Sequence, residues 1–330
     1  MSWLVWRQYR ASTAITGVLI GLFAVLLVIT GLAMARQFHA DYGACLAVST
    51  CRFPNDASLG SGLVGAMVEF SLAVPALLGM FLGGPAVARE AETGTAHFAW
   101  TQAVTRRRWL TVKTCWLLLA ALAWGGAVGA LVTWWSGPRN TVAANQFNPG
   151  TFDVQGIMPA AYSLFAMALG IAAGTLIRRV LPALGVTLGV FFTVRLMIMG
   201  WARQHYMAPV TSVYNVSRDV ILPPKGAAWV LGQGFRGPNG PLVIPAGQVE
   251  DIGNGFPVAG IPGACHAYWT RGTASPQLFS CLSSHGYSQY ITYQPAARYW
   301  PFQFIEAGIF AVLAAALIAV AFAVINRRDA

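Results

Sequence analysis

Glu69, Arg195 and Glu306 each stand inside a long apolar stretch of the sequence, and a charge in such surroundings is costly unless it is paired or wet. Opposite signs allow the three to close on one another as an ion-paired cluster, a contact that could lock a gate and release it. Four cysteines, Cys45, Cys51, Cys265 and Cys281, offer oxidative cross-linking. Four cysteines allow three pairings, and proximity in the chain favours Cys45 with Cys51 and Cys265 with Cys281. Other chemistries lack their residues. Gly232-Gln233-Gly234-Phe235-Arg236-Gly237 fits GxGxxG, but Pro238-Asn239-Gly240-Pro241 follows where a dinucleotide site needs a helix. No GxxxxGK[ST] loop is present to cradle a nucleotide, and no GxSxG elbow presents a nucleophilic serine. His39, His97, His205, His266 and His285 are scattered, without HExxH or any other metal-ligand spacing, so no metal site is expected.

The elements that position these residues follow from composition. The 330 residues are 56% hydrophobic and 10% charged, with a mean hydropathy of +0.57; a soluble chain carries about a quarter charged residues, so this is a membrane protein. Six runs are long enough to cross a bilayer: Ala14 to Ala35, Gly62 to Gly84, Leu110 to Trp135, Ile157 to Ile177, Leu181 to Trp201 and Phe302 to Ile325. Arg7, Arg10, Arg89, Arg106, Arg107, Arg108, Lys113, Arg178, Arg179, Arg327 and Arg328 fall on the side that holds both termini. Basic residues concentrate on the cytoplasmic side of membrane proteins, which puts both termini in the cytoplasm. The excess of 21 Lys+Arg over 11 Asp+Glu therefore reports topology and contact with lipid, and does not point to nucleic acid. All four paired cysteines then lie on the oxidising side, while Cys115 sits on a span, where packing explains it.

The fold expected is an all-α membrane protein: six transmembrane helices, an N-terminal interfacial helix over Ser2 to Arg10, and an irregular, disulfide-tied extracellular cap between the fifth and sixth helices. Residues 1–201 hold the interfacial helix and five spans, 202–301 the cap, and 302–330 the last span and a cytoplasmic tail. Pro and Gly clusters exclude long helices from the middle of the cap and leave room for short strands such as Leu242 to Ile244. Tyr287, Tyr290, Tyr293, Tyr299, Trp300, Phe302 and Phe304 suit an interfacial belt, with a surface-lying or re-entrant helix before the last crossing. GxxxG pairs at Gly17 and Gly21, Gly125 and Gly129, Gly170 and Gly174, and Gly185 and Gly189 allow close helix packing.

The stretch Pro85 to Lys113 carries the most information. Gly94 is a natural helix stop, Thr95 can cap a short helix through His97, Phe98, Trp100 and Gln102, and Thr105 can cap the next span. A helix that exposes Phe98 and Trp100 between two breaks suits docking of a soluble partner, or lying on the membrane surface.

Arg89-Glu90-Ala91-Glu92-Thr93-Gly94-Thr95, followed by Val104-Thr105-Arg106 and by Trp109-Leu110 with Lys113, resembles the first cytoplasmic loop of type-2 ABC transporter permeases, and the ending Tyr293-Gln294-Pro295 through Glu306 is similar to actinobacterial members. Ala103 departs from the family, many members of which have proline there. The resemblance implies a permease subunit of an ATP-driven exporter in the bacterial plasma membrane, working with an ABC ATPase subunit and with a second copy of itself or a homologous permease. It assigns ATPase coupling to Glu90, Glu92, Gly94, Thr95, His97, Phe98, Trp100 and Gln102. ATP and Mg would bind the partner, so the chain itself carries no cofactor and no catalytic residue. A substrate path lined by the second and fifth spans would include Phe70, Leu72, Met80, Phe191, Phe192, Met197 and Met199. Apolar and Met-rich lining suits a drug, peptide antibiotic or lipid. The alternatives are a membrane sensor, or a secondary transporter with a ligand-binding cap; the latter needs internal repeats, and the sequence has none beyond a break at Pro75.

Overall fold

The computed structural model describes residues 2–47, 61–93, 105–142, 146–216, 229–237, 240–244, 263–270, 273–274 and 276–328. They are mostly helical: α1 Ser2–Ala47, α2 Ser61–Leu78, α3 Gly84–Glu92, α4 Arg106–Trp135, α5 Gly137–Val142, α6 Pro149–Phe152, α7 Met158–Ile177, α8 Val180–Met197, α9 Pro276–Ser284 and α10 Tyr299–Arg328. Six stretches among the described residues are long and apolar enough to cross a membrane: Gly17–Ala40, Gly65–Glu92, Arg107–Trp135, Met158–Ile177, Val180–His205 and Ala296–Arg327. The chain divides into two compact units, the first formed by 1–143, 149–203 and 300–330, the second by 144–148 and 204–299.

In the first unit α7 is the central element. Of its span 78% is buried, against 22% for the fifth and sixth spans, because the Ala and Gly residues of α7 let its neighbours approach to backbone contact. The second span reaches it through a π-turn, Gly79–Gly83, that joins α2 to α3. A Cβ on Gly83 would stand 2.8 Å from the Met167 carbonyl, and one on Gly174 would stand 2.5 Å from the Gly84 carbonyl. Gly125 and Gly129 on α4 press in the same way on Pro159, Ser163 and Gly156. Two of the four GxxxG pairs therefore hold the bundle together. Gly21, Gly185 and Gly189 meet nothing within 4 Å, and Gly17 reaches only the Trp124 ring.

Local signals are realised at α4, where the Thr105 side chain accepts from Arg108 N as an N-cap. Other expectations change. The interfacial segment is not a separate helix: α1 runs unbroken from Ser2 to Ala47, since nothing between the two parts breaks the helix. Cys115 is exposed on α4 and faces away from the packed core, as suits a soft apolar side chain on a lipid-facing surface.

Among its described residues the second unit is built of strands as well as helix, so it is not all-α. Strands β1 Val210–Asn215, β2 Trp229–Gly237, β3 Gly240–Ile244 and β6 Ser288–Gln294 form an antiparallel sheet in the order β1-β6-β2-β3, and β4 Trp269–Thr270 pairs with β5 Thr273–Ala274. The GxGxxG stretch lies on β2, so it is a strand rather than a phosphate loop, with Pro241 tolerated on the edge strand β3. Tyr290 and Tyr293 belong to β6, not to an interfacial helix. The unbroken run Tyr290-Ile291-Thr292-Tyr293 is made of β-branched and aromatic residues, the types that favour a strand. Cys265 and Cys281 are joined, and the bridge ties the turn Gly263–Tyr268 to α9, whose Leu278 and Leu282 are buried together with Cys265. Closing this loop, 16 residues in separation, contributes about 3 kcal/mol in the chain-entropy model. Non-reducing peptide mapping should recover the two cysteines in one linked peptide pair; recovery as free thiols would contradict the bridge. Of the second pairing, Cys45 with Cys51, Cys51 lies outside the described residues.

Candidate functional site

Asp153, Tyr162, Arg195, Arg203 and Glu306 form a buried network inside the first unit. Arg195 and Arg203 are eight residues apart, which on a regular helix separates their directions by about 80°. The π-turn Ile198–Ala202 between them absorbs one extra residue, so the offset falls to about 20° and both guanidinium groups reach the same side. On α10, Phe302, Glu306 and Phe310 recur every four residues as one fully buried stripe, and this carries the Glu306 carboxylate to them. Asp153 directly follows the short helix α6, and Tyr162 lies in the first turns of α7.

Each charge is satisfied. Arg195 donates from Nη2 to Asp153 Oδ2 at 2.9 Å and from Nη1 to the Leu72 carbonyl at 3.1 Å. Arg203 donates to the other Asp153 oxygen, and to Glu306 from Nε at 2.9 Å and from Nη2 at 2.8 Å, a bidentate fork. The Tyr162 hydroxyl donates to Glu306 Oε1 at 2.7 Å. Aromatic faces cover both cations, Phe152 at 4.2 Å from Arg203 and Tyr162 at 4.9 Å from Arg195. Side-chain exposure is 8% for Arg195 and at most 1% for the other three charges. Two positive and two negative charges cancel. Such a buried set persists only when every member is paired, because desolvation costs several kcal/mol per ion. One turn away on α10, Gln303 accepts from Ile157 N at 3.1 Å and donates to the Gln155 carbonyl at 3.2 Å. This Gln303 contact packs the turn at Gly156, whose φ of 61° suits glycine. The arrangement binds the second, fourth, fifth and sixth spans and the connection between the third and fourth into one piece.

Arg195 and Glu306 lie in one network without touching each other, joined through Asp153 and Arg203, whereas Glu69 is exposed and outside it. Helical depth does not place Asp153 and Arg203, since both lie just outside the apolar runs of the sequence. With only 11 Asp+Glu in the chain, an acid five residues before a span was the available signal. The proposed path residues scatter. Phe191 is buried against Tyr162, Phe165 and Phe192; Phe70, Phe192 and Met197 are exposed, Phe70 beside Phe23 at 4.8 Å; Leu72, Met80 and Met199 are half-buried. His285 Nδ1 lies 3.9 and 3.8 Å from the Cys265 and Cys281 sulfurs, which are spent in their bond to each other.

At the opposite ends of the helices, half-buried Glu90 and exposed Glu92 each bond to a neighbouring helix. Lys113 Nζ donates to Glu90 Oε1 at 2.6 Å with the ammonium over the Trp109 ring at 4.8 Å, and Val180 N donates to Glu92 Oε2 at 3.1 Å. Gly94, Thr95, His97, Phe98, Trp100 and Gln102 lie outside the described residues.

A family model described as "ABC-2 membrane transporter related" matches residues 17–203, a stretch that spans α1 through the Arg203 turn and so holds four of the five network residues. No curated protein and no solved structure matches the chain.

Proposed function

The chain belongs to the ABC-2 membrane transporter related family, and from that premise we propose that it is the membrane subunit of an ATP-driven exporter for a hydrophobic or amphiphilic cargo. The observation that carries the reading is the family match across five of the six spans together with the segment between α3 and α4. Two six-span halves would work with two separate ATPase subunits that hold ATP and Mg, and both termini would face the cytoplasm, as the basic residues favour. ATP-driven closure of the ATPases would push on residues 95–102 and switch the halves between two states, a bistable element biased by a ligand bound elsewhere.

The buried network changes the role suited to Arg195 and Glu306. Its charges are saturated within one half, so it acts as a latch that keeps the second, fourth, fifth and sixth spans moving together, and not as a contact across the path. Exposed apolar residues on the fifth span, Val186, Val190, Phe192 and Met197, support a surface meant for lipid, cargo or the second half.

Replacing Phe98 and Trp100 together with Ser tests the docking. The expected result is a protein that reaches the membrane but no longer retains the ATPase or supports cargo-stimulated hydrolysis. Normal co-purification with full stimulated turnover would refute the reading.

A further inference from the structure

The two acidic residues before the segment 94–104 are engaged with other helices of their own chain. The Lys113 side chain is 2% exposed and Glu90 12%. A short charge-assisted bond between them at that burial holds α3 rigidly to α4. Glu92 does something different. Helix α8 begins after Arg179, which makes no side-chain cap, and the Glu92 carboxylate from α3 takes the Val180 N–H in its place. A carboxylate there satisfies an orphan donor and meets the positive end of an 18-residue helix. Beyond the segment, Arg107 Nε donates to Asn326 Oδ1 at 3.1 Å, joining the start of α4 to the end of α10. The described residues on either side of 94–104 are therefore tied to the third, fifth and sixth spans.

We propose that Glu90 and Glu92 are positioning residues that fasten this segment to the third and fifth spans, so that a push on it is delivered to both spans at once. The proposal rests on the reading that the segment docks an ATPase. It differs from a direct ATPase contact in its consequence: loss of a contact weakens docking, whereas loss of the fastening leaves docking intact and stops the motion.

The test uses the full chain in nanodiscs, co-expressed with an ABC ATPase subunit. One spin label sits on the exposed native Cys115 of α4 and one on Leu181→Cys of α8, 81% exposed in the parent, with Cys45 and Cys51 replaced by Ser. The distance between labels is read without nucleotide and with ATP and vanadate. The unsubstituted chain should show an ATP-driven change in distance. Glu92→Ala and Glu92→Lys, which lack the acceptor, should retain the ATPase in undiminished amount and lose that change; Glu92→Gln, which keeps an acceptor oxygen, should restore it. The proposal is overturned if Glu92→Ala and Glu92→Lys move like the parent, if they lose the ATPase, or if Glu92→Gln fails as they do. An unsubstituted chain that captures no ATPase at all would instead sink the docking reading, and this proposal with it.

Discussion

Asp153→Asn should lower the melting temperature of the purified chain far more than Glu69→Gln does. Asp153 takes one charge-assisted hydrogen bond from each arginine, and its removal leaves two buried cations facing the single carboxylate of Glu306. Breaking a buried pair by removing one partner costs about 3–5 kcal/mol, because the charge left behind stays desolvated. Glu69 is exposed, and its neutral form leaves nothing unpaired in the interior. A double-mutant cycle sharpens the difference: Arg195→Gln added to Asp153→Asn should cost much less than Arg195→Gln alone, whereas Arg195→Gln and Glu69→Gln should add. Thermal unfolding of the four combinations in detergent gives both comparisons. An Asp153→Asn chain that melts with the parent, or coupling that appears at Glu69, would mean the network does not hold the bundle.

Gly170→Ala should prevent the first unit from packing, while the same change at Gly185 or Gly189 should leave stability unchanged or slightly raised. A Cβ on Gly170 runs into backbone, the Gly79 carbonyl and Gly84 N, and backbone of a central helix pair cannot step aside as a side-chain tip can. Overpacking costs about 1–3 kcal/mol where side chains can adjust, so this contact sets a lower bound on the penalty. At Gly185 and Gly189 the new methyl meets open space, and alanine loses less backbone entropy on folding than glycine. The yield of monodisperse protein by size-exclusion chromatography, followed by melting, distinguishes the variants. Equal behaviour at Gly170 and Gly185 would contradict the packing described for α7.

Hydropathy and helix capping act over one or a few turns, so the sequence by itself determined that six segments can cross a membrane, that Thr105 starts α4, and that the two cysteines near the end of the second unit can be bridged. The tyrosines of Ser288–Gln294 suit an interfacial belt by type alone, yet with Ile291 and Thr292 between them they form a β-branched and aromatic run that pairs as a strand. Other features depend on which faces meet, and no one-dimensional pattern contains that. Four glycine pairs look alike in the chain, yet only those on α4 and α7 are pressed against a neighbouring backbone. Depth along a helix can place Arg195 and Glu306 near one level, but whether a carboxylate comes from Glu69 or from Asp153 depends on the rotation of each helix and on a connection folded back between spans. The π-turn decides a further part: it swings Arg203 by one residue's worth of rotation onto the face of Arg195. Only the tertiary structure could bring these charges together, because a buried ion is stable only where several separate segments close around it at once.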